Sequence, residues 1–322
     1  MIRTYLRSLL LSSGNRLFVT SEQYNEAMMI CFPPTLKDSV KPLSWWFSES
    51  PTYKQQTDTK ISEIKSLLKK SDANISVTAE YDSPELPAGS IAYHRIFGMI
   101  LADDEYRYYF STKRFEQDLI KAESNPNIAC HFIHINSGGG EAWYLDRISE
   151  TMSSCTKPMF VLAEKCCASA AYYIGCHGNV VKSLTQNDMI GSIGTMVGFY
   201  NFDGYYEKLG IKIIEEYAEQ SDLKNKKYKD LINGKPEQYI REELNPLAQQ
   251  FIDEVKSARD PLAKLPEDHP VFRGETFDAG HAIEIGLIDG LTTLPEAFSD
   301  ACQMGKNWIS TQKLRSKITH YI

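Results

Sequence analysis

Residues 128–140 read IACHFIHINSGGG, an apolar run that leads directly into three consecutive glycines. The apolar part is short and contains β-branched and aromatic residues, which predicts a buried strand. Glycines let backbone N–H groups converge beside a helix start, as phosphate sites and oxyanion holes both require. Neither G-x-x-x-x-G-K-[ST] nor G-x-G-x-x-G is present, so the usual phosphate-binding motifs are missing. Three glycines after a strand are also typical of a plain tight turn.

Strands and helices alternate on both sides of this stretch. The pattern predicts strands at 91–101, 128–135 and 158–163, and helices at 115–122, at 141–154 and from Ser169 onward. Such alternation indicates an α/β domain with a mostly parallel sheet. Farther along, Asn245-Pro246 is a good N-cap and N1 pair, and it predicts a helix with Leu247, Phe251 and Val255 on one face.

The chain divides into three parts. Residues 1–90 form an accessory region with helical patches at 21–29 and 60–70, the α/β domain is expected at 91–300, and 301–322 form a C-terminal tail. The stretch YDSPELPAGS at 81–90 is interpreted as a linker because two prolines and a glycine discourage regular structure. The apolar residues at 2–10 follow one helix face, typical of a helix that docks on protein or, alternatively, on a membrane surface. Trp45-Trp46 is either a local hydrophobic anchor or an exposed docking patch.

The composition is that of a folded acidic protein. The 322 residues are 42% hydrophobic and 24% charged, which is enough apolar material for a sizeable core. The formal net charge is −7, and the whole deficit falls after residue 90, because residues 1–90 carry ten basic and ten acidic side chains. That sign disfavours a general nucleic-acid binder. Seven cysteines without framework spacing favour a reducing cytoplasm, and no apolar run reaches the roughly 18 residues of a transmembrane helix.

A second strand-to-helix junction lies at 161–174, VLAEKCCASAAYYI. Ser169 stands at the predicted helix start, where a serine most often serves as N-cap. It is also flanked by Ala168, Ala170 and Ala171, and a nucleophilic serine needs small neighbours so that an acyl group can reach it. The backbone N–H of Ala170 would then be near a developing oxyanion. The local pattern leaves both roles open.

Four motifs, taken in order, resemble the signal peptide peptidase A (protease IV) family. They are INSGGG at 135–140, KPMFVLAEKCCASAAYYIG at 157–175, MIGSIGTMVGFYNFDGYYEKLGIK at 189–212 and FDAGHAIEIGLID at 277–289. The resemblance covers about 91–300. The family consists of Ser-Lys serine peptidases of the Clp protease/crotonase superfamily. The resemblance therefore implies a Clp/crotonase-like fold of repeated ββα units, a polypeptide substrate, a homo-oligomer, and catalysis without a metal or other cofactor.

By this resemblance Ser169 is the nucleophile, and the N–H groups of Gly140 and Ala170 form the oxyanion hole. The chain departs from the family pattern at three places near these residues, one of which is the Cys166-Cys167 pair before the serine. Gly138 stands where the family usually has proline, and Ala170-Ala171 replace a Gly-Gly pair, which adds two methyl groups beside the nucleophile.

The resemblance places the general base at a lysine after the G-S-I-G block, within SDLKNKKYKD at 221–230. Lys224 is preferred as the base, because its spacing from the strand expected at 211–217 fits the family better. Lys229 is the alternative, because an aspartate follows it directly, as an aspartate often follows the family's lysine. A lysine base needs its pKa lowered by about 3 units, or about 4 kcal/mol, to act near neutral pH. Most lysines of the cluster are expected to be a solvated basic loop. Ser192 of the G-S-I-G block either orients the base or is a turn residue.

Other candidates for chemistry are weaker. Cys166 and Cys167 directly precede Ser169, but the register of the serine against Tyr172-Tyr173-Ile174 disfavours a cysteine nucleophile. His131 and His134 lie on one strand in opposite phase, so at most one could face a site, and structural roles are favoured for them. A Ser-His-Asp arrangement with His177 is conceivable. No set of residues has metal-ligand spacing.

The biological role follows from the resemblance by analogy. The absence of a recognisable membrane anchor and the extra N-terminal region favour a phage or prophage head-maturation protease. Its partners would be scaffold or capsid proteins, and it would work in the cytoplasm or within a phage prohead. The alternatives are a housekeeping peptidase that degrades signal peptides and a catalytically silent Clp/crotonase-fold assembly protein. A crotonase-like acyl-CoA enzyme would share the glycine turn but would not need a serine followed by a distal lysine.

Overall fold

The computed structural model describes residues 17–19, 51–71, 74–103, 108–198, 201, 203–212 and 214–319. The helical patch expected at 21–29, the apolar face at 2–10 and Trp45-Trp46 lie outside these residues. The described part of the chain contains twelve strands, which form two sheets.

The larger sheet is mostly parallel. Its strands are β2 Val77–Thr78, β3 Ser90–Phe97, β6 Ile128–Ser137, β8 Met159–Ala168, β9 Val180–Ser183, β10 Met189–Gly191, β11 Thr276–Asp278 and β12 Gly290–Leu291. They follow the order β11-β10-β8-β6-β3-β2, and β9 pairs with both β8 and β12. Only β10 and β11 pair antiparallel. The predicted α/β class with a mostly parallel sheet is confirmed.

The smaller sheet contains the glycine turn. Its strands are β1 Leu17–Val19, β4 Ile100–Leu101, β5 Phe110–Ser111 and β7 Gly139–Glu141, in the order β1-β7-β4-β5. A Cβ on Gly140 would lie 1.9 Å from the carbonyl oxygen of Ile100, because β4 and β7 approach so closely at this point. No side chain fits that gap, which explains a glycine at position 140 on packing grounds alone.

The described chain contains eleven α-helices, and some of them cover the two faces of the larger sheet. Their bounds are α1 Tyr53–Lys70, α2 Thr112–Ser124, α3 Leu145–Ser154, α4 Ala170–Gly175, α5 Asp203–Lys208, α6 Lys226–Ile232, α7 Glu237–Tyr239, α8 Asn245–Ala258, α9 Asp260–Ala263, α10 Ala279–Ile285 and α11 Leu294–Thr319. On one face Phe298 of α11 stacks on Phe132 of β6, with ring centroids 4.0 Å apart. On the other face Tyr172 of α4 and Phe251 of α8 join the main hydrophobic cluster. Two covered faces explain why β6 is apolar without alternation.

Several predicted elements are confirmed with different bounds. The strand expected at 91–101 is split into β3 and β4 at Gly98, whose φ of 77° turns the chain. The helix expected at 141–154 begins only at Leu145, because Glu141 belongs to β7. The strand expected at 158–163 continues to Ala168, since its second half pairs with β10.

The helix start predicted at Asn245-Pro246 is wrong. Asn245 is already helical, and the chain enters α8 from α7 through a π-helical turn at Ile240–Leu244. Pro246 has no N–H to donate and its ring crowds the preceding turn, so a wider turn before it lets the helix continue. The predicted buried face is confirmed for Phe251 and Val255, whereas Leu247 is only partly buried.

The strand expected at 211–217 is also wrong for the residues described there, which have neither strand nor helix. A strand needs a neighbour to satisfy its backbone groups, and none is present within the described chain. Ile211 and Ile214 are consequently exposed, with 50% and 80% of their surface accessible.

The described residues between 51 and 89 pack against the larger sheet. Helix α1 begins with a capping box formed by Thr52 and Gln55, and it buries Ile61, Ile64 and Leu68. Residues 81–89 have no helix or strand, but the Tyr81 hydroxyl donates to the carbonyl of Tyr93 over 2.7 Å. The segment interpreted as a linker is therefore held against the sheet. At the other end, α11 runs without a break from residue 294 into the segment expected as a tail.

Candidate active site

Ser169 lies at the turn between β8 and α4 in a backbone conformation that non-glycine residues rarely adopt. Its φ is 56° and its ψ is −127°. Its N–H donates to the Gly191 carbonyl over 2.8 Å, and its own carbonyl accepts from Tyr173 N–H over 2.9 Å. Its side chain makes no capping hydrogen bond, so the N-cap role weighed above does not account for the serine. Strained strand-to-helix turns of this kind often present a nucleophile.

Helix α4 supplies a hydrogen-bond donor beside this serine. Ala170 is the first residue of α4, and the first N–H groups of a helix have no acceptor within the helix. Ala170 and Ala171 are fully buried, so their methyl groups fill space that a Gly-Gly pair would leave open. A small N–H donor next to the Ser169 hydroxyl is the arrangement that an oxyanion hole needs.

The glycine turn meets the serine turn. Ser137 at the end of β6 is in register with Cys167 of β8, and strand β7 contacts helix α4. The turn is fixed by Ser137, whose hydroxyl donates to the Gly98 carbonyl over 2.5 Å and accepts from Gly139 N–H over 3.1 Å. Gly139 has a φ of 107°, which favours glycine at this position.

The G-S-I-G block lies alongside Ser169. Gly191 of β10 is in parallel register with Ala168 of β8. Ser192 and Ser169 directly follow these two residues, so they lie side by side where the two strands end. Ser192 has a φ of 54°, and its N–H donates to the Glu275 carbonyl over 2.8 Å. Both serines therefore have a positive φ and are held by backbone hydrogen bonds, so the block is more than a surface turn.

The four lysines of the cluster at 221–230 differ in whether they form ion pairs. Three of its four lysines are bound to carboxylates, and the pairs are Lys226 with Asp230, Lys227 with Glu243 and Lys229 with Glu215. Lys224 is exposed and forms no ion pair with any described residue. A lysine held by a carboxylate keeps its proton more tightly, so pairing counts against a role as base.

Lys229, the alternative base, is the clearest example. Its Nζ lies 2.6 Å from Glu215 and 4.4 Å from the centre of the Tyr217 ring. The hydrogen bond to Glu215 raises the pKa of Lys229 above its ordinary value. A general base near neutral pH needs the opposite shift.

Cys167, the cysteine nearer to Ser169 in sequence, is poorly suited to nucleophilic attack. Cys167 is buried, its thiol lies 3.7 Å from the Ala171 carbonyl, and burial raises its pKa well above the ordinary value. A thiol that stays protonated is not the reactive form. The described cysteines form no disulfide, Cys166 and Cys167 included.

The histidines are held by structural contacts. His134 Nε2 lies 2.9 Å from Glu164, and its Nδ1 lies 3.0 Å from the Tyr93 hydroxyl. His177 Nε2 lies 3.3 Å from Glu254, which also accepts a hydrogen bond from the Ser149 hydroxyl. Burial lowers the pKa of both imidazoles, and neither has a contact with Ser169 in the described structure.

One group that sequence spacing did not reveal joins three separate elements. Glu123, His131 and Cys155 place potential metal-ligand atoms within 4.8 Å of one another. Glu123 already accepts from His131 Nε2 over 3.1 Å, from Thr156 N–H over 2.8 Å and from the Thr156 hydroxyl over 2.7 Å. Through these hydrogen bonds the Glu123 carboxylate links α2, β6 and the end of α3. None of the hydrogen bonds or ion pairs described for the three residues reaches Ser169.

Comparison with known proteins agrees with the motifs. Residues 152–307 match the family model of Peptidase family S49. Over 195 residues the chain is 25% identical to an Enterococcus faecium protein provisionally named signal peptide peptidase SppA, covering 57% of this chain and 53% of that protein. The chain spans about half the length of this curated relative. Among solved structures, a ClpP1 mutant from Listeria monocytogenes aligns with 64% of this chain and 94% of its own length, at 15% identity and a TM-score of 0.39.

The family match includes Ser169, Ser192 and the whole lysine cluster, whereas Gly140 precedes it. No helix in the described part of the chain combines the length and apolar character needed to cross a membrane. The matched segment also contains the positive-φ turn at Ser169 and the start of α4. Residues 152–307 thus carry the sequence features of Peptidase family S49, in agreement with the resemblance to the signal peptide peptidase A family.

Proposed function

We propose that the chain is a serine peptidase in which Ser169 and Lys224 form the catalytic dyad. The observation that carries this proposal is Ser169 itself, a serine in a strained turn, without a capping role, within a segment that matches a peptidase family. Ser169 Oγ attacks the scissile carbonyl carbon while its proton passes to neutral Lys224 Nζ. The lysine then gives that proton to the departing amine, and the acyl-enzyme is hydrolysed by water that the same lysine activates.

The oxyanion of the tetrahedral intermediate is bound by the backbone N–H groups of Ala170 and Gly140. Support for Ala170 comes from its place as the first residue of α4. Support for Gly140 comes from the contact between β7 and α4. Ser192 is a positioning residue for the base in this proposal, and its support is that it follows Gly191, the residue in register with Ala168 just before Ser169.

The exposure of Lys224 bears on the oligomeric state. A lysine in water keeps a pKa near 10.4, so a base at neutral pH must be desolvated. The segment that carries Lys224 also exposes large apolar side chains: Tyr205 60%, Leu209 57%, Ile211 50%, Ile214 80% and Leu223 70%. Such a surface favours association. We therefore include a homo-oligomer in the proposal, in which a second copy covers this segment and removes water from the base.

The narrower role that we propose is maturation of a phage or prophage head, with scaffold or capsid polypeptides as substrates. Its support is the resemblance together with an N-terminal helix, α1, that is packed on the catalytic sheet and extends the chain beyond the peptidase segment. The alternative is degradation of cleaved signal peptides, favoured by the match to the Enterococcus faecium protein. Portal and major capsid genes beside this gene would favour the first role, and efficient cleavage of short apolar peptides would favour the second.

The peptidase activity is tested with an unfolded protein that carries quenched fluorophores. We expect fluorescence to rise with time for the wild-type chain and to stay flat for Ser169→Ala. Ser153→Ala, an exposed serine on α3, is the matched control and keeps full activity. An inactive wild-type chain would instead support a catalytically silent assembly protein.

A further inference from the structure

The first strand of the chain, β1, lies along the glycine strand β7 of the smaller sheet. The two strands are antiparallel, and the facing pairs are Leu17 with Glu141, Phe18 with Gly140 and Val19 with Gly139. Gly140 is one of the two proposed oxyanion donors. A segment far from the peptidase motifs in sequence is therefore paired with the backbone that the proposed chemistry uses.

Strand β7 is held firmly on its other side. It lies between β1 and β4, and Gly140 is in parallel register with Ile100 of β4. The buried Glu141 carboxylate also accepts from Ala102 N–H over 2.5 Å. By contrast, β1 is three residues long, stands at the end of the sheet and pairs with no other strand of the described chain. A short strand with one neighbour separates from a sheet at low cost, so β7 stays in place when β1 leaves.

The edge that β7 presents to β1 is mostly bare backbone. Two of its three residues, Gly139 and Gly140, have no side chain, so main-chain hydrogen bonds hold the strand that lies opposite them. An edge of this kind accepts an extended chain of almost any sequence, as in binding by strand addition. A peptidase that cleaves unfolded protein needs such tolerance.

The same edge leads to the proposed nucleophile. Strand β7 contacts helix α4, which begins at the residue after Ser169. A polypeptide that is cleaved by Ser169 with its oxyanion bound at Gly140 has to pass along β7. In the described structure β1 occupies the edge that such a polypeptide would pair with.

We propose that β1 is an internal competitor of the substrate, an inference that rests on the proposed peptidase function. An extended polypeptide displaces residues 17–19 from β7 and takes their place before its scissile bond reaches Ser169. Because β1 belongs to the same chain, it acts at an effective concentration of about millimolar. The competitor raises KM and leaves the chemical step at Ser169 unchanged.

A proline variant of the full chain tests the competition. In an antiparallel pair, successive residues alternate between bonding to the partner strand and facing away, so the N–H of either residue 18 or residue 19 faces β7. Phe18→Pro/Val19→Pro removes both N–H groups. We expect kcat/KM for the quenched protein substrate to rise by about fivefold or more, mainly through a lower KM. The matched control, Phe18→Ala/Val19→Ala, keeps both N–H groups and should change kcat/KM by less than about twofold.

A synthetic peptide of residues 13–23, SGNRLFVTSEQ, tests the same competition without a variant. At about millimolar concentration it should raise the KM of the wild type and, more strongly, that of the proline variant, with kcat unchanged. The peptide with proline at both positions should have no effect. Hydrogen exchange follows the pairing itself in chains that also carry Ser169→Ala. The amides of residues 139–141 should exchange faster with the proline pair than with the alanine pair, and the unmodified peptide should slow them again.

Fluorophosphonate labelling separates this inference from the proposed function. The reagent is too small to need the β7 edge, so it should label Ser169 equally fast in the wild type and in the proline variant. If neither chain is labelled, the peptidase function fails and the competitor role fails with it. The competitor role alone is overturned if Ser169 is labelled but the folded proline variant cleaves no faster than the wild type. It is also overturned if the alanine pair gives an equal rise, or if the peptide does not raise KM.

Discussion

Replacing Lys224 by methionine removes the proposed base and keeps a side chain of similar length. Nothing else in the described structure is expected to change, because Lys224 is exposed and its side chain makes no hydrogen bond to a described residue. A positioned general base contributes about 10²–10⁴ in rate, or about 3–5 kcal/mol at 1.36 kcal/mol per tenfold. We therefore expect kcat/KM for the quenched protein substrate to fall by that factor, with most of the loss in kcat.

Lys229→Met is the matched control within the same cluster. Its hydrogen bond to Glu215 raises the pKa of Lys229, whereas even an unperturbed lysine is neutral in only about 4 of 10,000 molecules at pH 7. Lys229 therefore has almost no basic form to offer, and we expect its loss to change kcat/KM less than twofold. The reasoning is refuted if Lys224→Met keeps full activity, or if Lys229→Met loses as much as Lys224→Met.

Three further predictions concern stability and assembly. Hydrogen bonds from His131 and Thr156 overcome the effect of burial and lower the pKa of Glu123 from 4.5 to about 2, so the ionised carboxylate stabilises the fold above pH 4.5. In urea unfolding, Glu123→Gln should be less stable than wild type at pH 7 by about 1–3 kcal/mol, the usual cost of leaving a buried hydrogen-bonding group without its partner, and the gap should narrow as the pH falls from 4.5 towards 2. A constant gap at every pH would contradict this account. Phe298→Ala should lower the free energy of unfolding by about 3–5 kcal/mol, because it empties a fully buried position stacked on Phe132, whereas Leu314→Ala, 61% exposed on the same helix, should cost little. Ile214→Asp should shift the chain from oligomer to monomer in light scattering, while Ile120→Asp, 51% exposed on α2, leaves the mass unchanged; equal masses for both variants would count against the proposed interface.

The sequence was most informative where a periodic pattern and a turn coincide. Strand β6 and helix α4 were predicted within a few residues, because a continuous apolar run and a small-residue turn leave few alternatives. The position of Ser169 between β8 and α4 followed from the same pattern. The strained conformation of Ser169 was not predictable, since it depends on the hydrogen bond to Gly191, twenty-two positions later in the chain.

The failures share one physical cause, which is that the deciding partner is distant or absent. The segment 211–217 has strand-forming residues, but no neighbouring strand is present in the described chain to pair with it. Asn245 has the chemistry of an N-cap, but the helix already exists before it because α7 and the π-helical turn precede it. A cavity beside His94 and Arg95 is lined by residues from α1, β3 and α2. These elements are far apart in the sequence, so no local pattern predicts that they come together.

Covalent labelling tests the central claim, a nucleophilic Ser169, most directly. The wild-type chain is incubated with a fluorophosphonate, and the modified peptide is identified by mass spectrometry. The account predicts one modified residue, Ser169, no labelling of Ser169→Ala, and slower labelling of Lys224→Met. Unchanged labelling of Ser169→Ala, or modification at Ser192 or elsewhere in its place, would contradict it.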